Sequence, residues 1–253
     1  QHRGQESAGI VTSADGQFRV HKGMGLVSQV FKGKTLERLK GSMAVGHTRY
    51  STTGSSHHRN SQPLTVDCSK GQIAIAHNGN LTNAAQLRDE LELGGSIFQT
   101  TVDSEIILHL MARPSNGSDN NLVKSLQRIQ GAYSLVIMTE NELIGVRDPH
   151  GFRPLSIGKL DGAYVLSSET CAFDLIQAEF VRDVEPGEIV IINDDGIQSI
   201  NAFPMHQRKA FCIFEYVYFS RPDSIINDRS VYGVRVNMGR ELAKETAVDA
   251  DLV

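Results

Sequence analysis

Four polar clusters hold the residue types that could do chemistry: QHRGQESAG (1–9), GHTRYSTTGSS (46–56), AHNGN (76–80) and the VDSE of 102–105. Each has an ordinary reading. The opening is compatible with a plain turn and the second cluster with a solvated loop. Asn78-Gly79 is the commonest two-residue hairpin turn, and Asp103 stands where a helix N-cap is expected. Taken together the clusters suggest more. An Asn amide beside a Gly backbone N–H offers two donors converging on one point, which is what a tetrahedral oxyanion requires. An Arg gives a bidentate partner for a carboxylate, and an Asp a partner for an ammonium. That set makes a receptor for an α-amino acid whose side-chain carbonyl is to be attacked.

Glutamine fits this description, but the attacking group is harder to find. Cys171, in SSETCAFDLI, reads as a buried helix residue, Cys68 as part of a loop before a strand, and Cys212 as part of an aromatic-rich strand. Free cysteines are most often small buried hydrophobes. His47 and His77 could partner a thiol, yet no spacing marks a Cys/His pair, and such constellations are recognised by geometry. Three scattered cysteines without a CxxC pair fit a reducing compartment rather than a disulfide framework.

The elements that must position these clusters are legible from periodicity. AGIVTSADGQFRVHKG (8–23) predicts a hairpin around Asp15-Gly16, and SMAVGHTRY (42–50) and QIAIAHNGN (72–80) predict strands running into polar, Gly-bearing loops. Helices are expected over 82–93 (Thr82 cap; Ala84, Leu87 and Leu91 inward), 103–113 (Asp103 cap) and 119–130. Short strands follow at 133–139, 142–146, 163–168 and 188–193, then a strand over 209–219 and a helix from about Val231 to Val248. Strands, then helices, then strands indicate an α+β arrangement of antiparallel sheets covered by helices. The net charge of −4 argues against nucleic acid or an anionic membrane as partner. No stretch approaches the ~20 apolar residues of a membrane span, and the opening is unlike a signal peptide. A soluble, cytoplasmic protein is expected.

In order and spacing, the four clusters resemble the class II (N-terminal nucleophile) glutamine amidotransferase family. RDPHGFRPLSIG (147–158), SSETCAFD (167–174), EPGE (185–188) and CIFEYVYFSRPDS (212–224) are similar to its amidophosphoribosyltransferase branch. The resemblance implies a four-layer αββα sandwich of antiparallel sheets. It implies a glutaminase domain over 1–208, with 209–253 leading into a phosphoribosyltransferase domain. By position it implies that Arg49 holds the glutamine α-carboxylate, that Asp103 holds the α-ammonium with His77 on the substrate side, and that Asn78 and Gly79 form the oxyanion hole. In the family an N-terminal Cys attacks the amide and its own α-amine, which titrates near ~7.7–8.0, acts as base. Ammonia then passes to a second site that makes 5-phosphoribosylamine from phosphoribosylpyrophosphate (PRPP).

The resemblance places that Cys upstream of QHRGQ and the PRPP-binding loop beyond DADLV. The chain opens on Gln1 without Met, so both ends read as cuts, and the polypeptide as it stands is expected to lack both half-reactions. For Cys212 the resemblance leaves two roles, a thiolate ligand of a [4Fe–4S] cluster or a buried strand cysteine. Mg²⁺ is implied only with the phosphoribosyltransferase part, and the expected assembly is a homo-oligomer, dimer or tetramer. The HTRYST loop is expected to close over glutamine as a lid. Two other readings stand beside this one: another class II amidotransferase such as a hexosamine-phosphate synthase, and a glutamine-binding remnant without catalysis.

Overall fold

The computed structural model describes residues 1–51, 54–114, 121–203 and 208–251. β1 (Ser7–Ala14) and β2 (Gln17–Met24) form the expected hairpin, with Ala14 opposite Gln17. Asp15 and Gly16 both have positive φ (52° and 71°), as a two-residue turn between twisted strands requires. Two short helices, α1 (Val27–Val30) and α2 (Thr35–Arg38), lead to β3 (Met43–Arg49), which returns to pair with β1. A 3₁₀ turn at His58–Asn60 precedes β4 (Leu64–Cys68) and β5 (Gly71–Leu81). Three helices follow: α3 (Ala84–Leu93), α4 (Ser104–Ala112) and α5 (Asn121–Arg128). Then come β6 (Gly131–Met138), β7 (Leu143–Arg147), β8 (Ser156–Leu160), β9 (Ala163–Ser167), α6 (Cys171–Ile176), β10 (Glu179–Asp183), β11 (Glu188–Asn193) and β12 (Gly196–Asn201). A small ribbon, β13 (Ile225–Ile226) and β14 (Arg229–Ser230), leads into α7 (Val231–Glu245).

The pairing is antiparallel throughout. A six-stranded sheet runs β12-β11-β7-β6-β5-β4, and two three-stranded sheets run β2-β1-β3 and β10-β8-β9. Strand alternation decides what each face of the large sheet meets. Ile73, Ile75, Leu135 and Ile137 point to one side and pack with Leu87, Ile107 and Leu126 of α3, α4 and α5. Ala74, Ala76 and Met138 point to the other and meet Val11 and Val45 of the first small sheet. Val136 and Val190 on that same face meet Leu155 and Ile157 of the second. Helices, sheet and opposed sheets are thus stacked as an α+β sandwich, with α1 beside β1 and β2 and α6 beside β10. Among the described residues, β3 pairs only with β1 and β9 only with β8, so two strand edges face the space between the small sheets.

Three expectations change. The run over 209–219 is not a strand: Glu215–Phe219 is a wide helical turn closed by Ser220 N–H to Glu215 O (3.1 Å). The chain wraps there because the Glu215 side chain, fully buried, collects Arg3, Arg153 and Ser220 Oγ. The α3 cap is Asn83 rather than Thr82, and its amide bonds Arg128 O and Gln130 N–H instead of the helix. The AHNGN residues do not leave the sheet, since β5 runs on to Leu81. Residues 119 and 120 of the expected third helix lie outside the described residues. In α7, Val231 is buried, but Met238 and Leu242 of its apolar face are exposed.

The opening segment is tied to the 212–224 segment by buried ions. Arg3 donates to Glu169 (2.7 Å) and to both oxygens of Glu215 (2.8 and 2.9 Å), while Ser224 Oγ donates to Glu169 at 2.6 Å. Burial alone would raise both carboxyls. Ser224, Arg3 and His2 instead bring Glu169 down to about 2, and Arg3, Ser220 and Arg153 hold Glu215 below the ordinary range. A carboxyl whose folded pKa is depressed stabilises the fold above its unfolded pKa and loses that contribution as pH falls through the folded value. The melting temperature is therefore expected to drop as pH falls from about 4.5 towards 2, with a shallower drop in Glu169→Gln. Glu215→Ala, which leaves the Arg153 guanidinium without a carboxylate and Arg3 with Glu169 alone, is expected to cost about 3–5 kcal/mol in denaturant melts.

Candidate functional site

The site is built on the end of β5. Ala76 faces the small sheets and Ile75 the helices, so alternation turns Asn78 towards the small sheets and His77 towards α4. Asn78 and Ser134, register partners on β6, lie together on the floor of a cavity of about 790 Å³. The exposed edges of β3 and β9 border this cavity through Gly46, Thr48, Leu166 and Ser167. Among the described residues, Asn78 Nδ2 is buried without a hydrogen-bond partner. A buried donor left unmade is costly, and the residue that carries it lines a space able to hold a ligand.

Gly79 lies opposite Tyr133, which spends its N–H on Asp148 Oδ2 (3.3 Å) and its C=O on Asp148 N–H (2.9 Å). The pair is therefore the open kind in the antiparallel ladder. The Gly79 N–H turns to the other strand edge, where His77 N–H donates to Gln62 Oε1 (2.8 Å). Gly79 has a φ of +154°, and a Cβ there would collide with Ala132 O and lie 2.9 Å from His77 Nε2. Only glycine allows the strand to pass Ala132 while presenting its N–H.

Asp103 occupies the N-cap position of α4, yet its side chain does not cap the helix. Its Oδ2 accepts Leu81 N–H at 2.8 Å, and its Oδ1 lies 3.5 Å from His77 Nδ1. Burial would raise this carboxyl, but His77 and the backbone N–H groups of Leu81 and Ser104 hold it below the usual range. It is thus an anion next to the cavity. His77 Nδ1 also meets Ser104 Oγ (3.1 Å), while its Nε2 is buried and unpartnered among the described residues. Arg49, at the end of β3, is buried and donates through Nη1 to Glu6 and to Ser55 O (3.3 Å). Glu6 Oε2 in turn accepts Ser51 N–H (3.1 Å), so one carboxylate sets both the guanidinium and the start of the following loop. His47 is driven down to about 3 by burial and by His77, Arg49 and Arg3, which keeps its imidazole neutral.

Arg49, His77, Asn78, Gly79 and Asp103 therefore line one cavity, with His47 beside them. Cys212 is not among its lining residues; its Sγ meets Arg153 Nη1 at 3.7 Å. Cys171 does line the cavity, but burial and the Glu169 carboxylate push its thiol up, away from the reactive thiolate. Cys68 donates to Gly71 O (3.4 Å) and packs against the helix-side core. Among the described residues no group of three or more His, Cys, Asp and Glu could hold a metal ion. Thr52, in the expected lid, lies outside the described residues with Thr53. Sequence reasoning missed Asn60 and Gln62, polar residues outside every motif, and gave no role to Glu6 and Ser104 within the QHRGQESAG and VDSE clusters, because these roles exist only through contacts distant in the chain.

A family model described as a glutamine amidotransferase domain matches residues 47–174, half of the chain, and the chain belongs to that family. Within it the likeness is to amidophosphoribosyltransferase. The enzyme of that name from Bacillus subtilis is 49% identical over 255 residues, all of this chain and 53% of the relative. That from Synechocystis is 53% identical over 260 residues, all of this chain and 52% of the relative. The solved structure of glutamine PRPP amidotransferase from B. subtilis superposes with a TM-score of 0.93 at 48% identity, covering 99% of this chain and 55% of that one. The chain spans about half the length of the curated relatives it matches.

Replacing Gly79 by Ala is expected to cost more than the ~1–3 kcal/mol of backbone strain alone, because Ala132 cannot yield without breaking the β5–β6 ladder. Denaturant melts of the variant check this; unchanged stability would remove the close approach as the reason for glycine there.

Proposed function

We propose that this chain is the glutamine-handling part of an amidophosphoribosyltransferase. The whole protein would convert glutamine, PRPP and water to 5-phosphoribosylamine, glutamate and pyrophosphate, an opening step of purine synthesis. The observation that carries the reading is that Asn78, whose Nδ2 is buried and unpartnered among the described residues, lines one cavity with Gly79, the anionic Asp103 and the guanidinium of Arg49. Arg49 takes the α-carboxylate, sharing its guanidinium with Glu6. Asp103 takes the α-ammonium, with His77 keeping it ionised. The side-chain amide then lies over Asn78 and Gly79, whose N–H groups receive the oxyanion as a thiol attacks. None of the three cysteines suits that attack, and the resemblance assigns it to an N-terminal Cys preceding the QHRGQ segment. The cavity between the β3 and β9 edges is the space such a segment would enter.

Residues 209–253 lead, in this reading, towards the part that binds PRPP. For an iron–sulfur cluster the described residues offer Cys212 alone, where four thiolates are the rule. These residues do not make such a site, and Cys212 would at most supply one ligand to a cluster completed from elsewhere. Mg²⁺ belongs with PRPP in the other part. Assembly as a homo-oligomer and a cytoplasmic location are part of the same proposal. No helix among the described residues is long and apolar enough to cross a membrane.

In the whole protein, Asn78→Ala is expected to lower kcat with glutamine by about 10²–10³, the usual effect of removing one oxyanion donor. Asp103→Asn and Arg49→Ala are expected to raise the KM for glutamine. All three should leave synthesis from free ammonia intact. Equal loss of glutamine-dependent and ammonia-dependent synthesis would contradict the assignment, and glutamine saturation unchanged in Arg49→Ala would remove that residue from the site.

A further inference from the structure

Asn60 is fully buried beneath an exposed loop, and both ends of its amide are used. Nδ2 donates to Ser55 O (2.6 Å) and Thr101 Oγ1 (2.8 Å), and Oδ1 accepts Thr101 N–H (3.1 Å). The Ser55 carbonyl is also the acceptor for Arg49 Nη1 (3.3 Å), and Ser55 N–H donates to Thr101 Oγ1 (3.1 Å). Gly54, with φ of +82°, brings its backbone so close that a Cβ would lie 2.9 Å from Thr101 Oγ1 and 3.0 Å from Thr101 O. Thr101 stands two residues before Asp103. Asn60 therefore adds a buried amide to the direct Ser55–Thr101 contact, joining the loop that follows Arg49 to the segment that presents Asp103.

We propose that Asn60, with Thr101 as its counterpart, is a positioning latch that sets Arg49 against Asp103 and so matches the separation of an amino acid's carboxylate and ammonium, without touching the ligand. This rests on the glutamine site proposed above. Ser55 O and Thr101 Oγ1 are shared acceptors. The Ser55 carbonyl can hold the Arg49 guanidinium only where the loop carries it, and Asn60 fixes the loop to Thr101. A strand end and a helix start held by separate contacts would each have their own freedom. Joined through a buried amide, they become one rigid frame, and orientation of this kind acts on binding rather than on the attack itself.

The test uses the whole protein. Asn60→Ala and Thr101→Val, the latter nearly isosteric and lacking only the hydroxyl, are expected to raise the KM for glutamine by about 5- to 100-fold, the range for buried hydrogen bonds left unmade. Synthesis from free ammonia and kcat at saturating glutamine should stay within about twofold. Thr101→Ser, which restores the acceptor, is expected to return KM close to that of the parent. Should Asn60→Ala fail to fold, the Thr101 pair carries the test. Arg49→Ala serves as the control for the site itself. If Arg49→Ala raises KM while Asn60→Ala and Thr101→Val do not, the latch is wrong and the site stands. If Thr101→Val and Thr101→Ser lose glutamine and ammonia activities equally, Thr101 is a general support of the fold and the latch is again wrong. If Arg49→Ala itself leaves KM unchanged, the glutamine site fails and the latch with it.

Discussion

The structure depends on β5 remaining a strand through four polar residues. A run of His-Asn-Gly-Asn would ordinarily turn, but β5 lies between β4 and β6 with its apolar half already locked into two cores. Once the ladder continues past Ala76, alternation leaves no choice about where the polar groups go. His77 must face α4, where Asp103 and Ser104 receive it, and Asn78 must face the cavity. At Gly79 the strand passes so close to Ala132 that only the missing Cβ lets it do so. The chemistry follows from two faces of one strand and its edge.

The rest of the molecule holds partners against that strand. Gln62 covers its edge by accepting His77 N–H and reaching Ser104. Gly4 lets the opening segment cross the end of β3, where a Cβ would come within 2.5 to 2.7 Å of the Thr48 and Arg49 backbone. Glu6, on the same segment, sets the Arg49 guanidinium, and Arg3 fastens the segment to Glu169 and Glu215. The 212–224 segment thus folds around a buried carboxylate instead of extending as a strand. Its exposed aromatic side chains, Phe214 and Tyr218, lie on the outside of that turn.

Much of this was legible in the sequence. The Asp15-Gly16 hairpin, the helix-side stripe of Leu87 and Leu91 and the antiparallel layering all come from local periodicity, and the structure places them as expected. Arg49, His77, Asn78, Gly79 and Asp103 were recognisable as a set, and they do line one cavity. Local rules failed where a distant contact outweighed them. Asn78-Gly79 has the signature of a turn, yet the β6 ladder holds it extended; Asp103 has the position of a cap, yet Leu81 N–H and His77 claim its carboxylate. The aromatic-rich run at 209–219 reads as a strand, yet Glu215 must reach two arginines that enter from residues 3 and 153. Asn60 had no signal at all, because its side-chain partners are loop atoms of Ser55 and Thr101 whose proximity exists only in the fold.

The most direct measurement is a crystal structure of the whole protein with glutamine bound, the N-terminal cysteine proposed to attack it replaced by alanine. The account predicts the side-chain carbonyl oxygen within hydrogen-bonding distance of Asn78 Nδ2 and the Gly79 N–H, the α-carboxylate on Arg49 and the α-ammonium on Asp103. Glutamine bound with its amide away from Asn78 and Gly79, or outside this cavity, would contradict it.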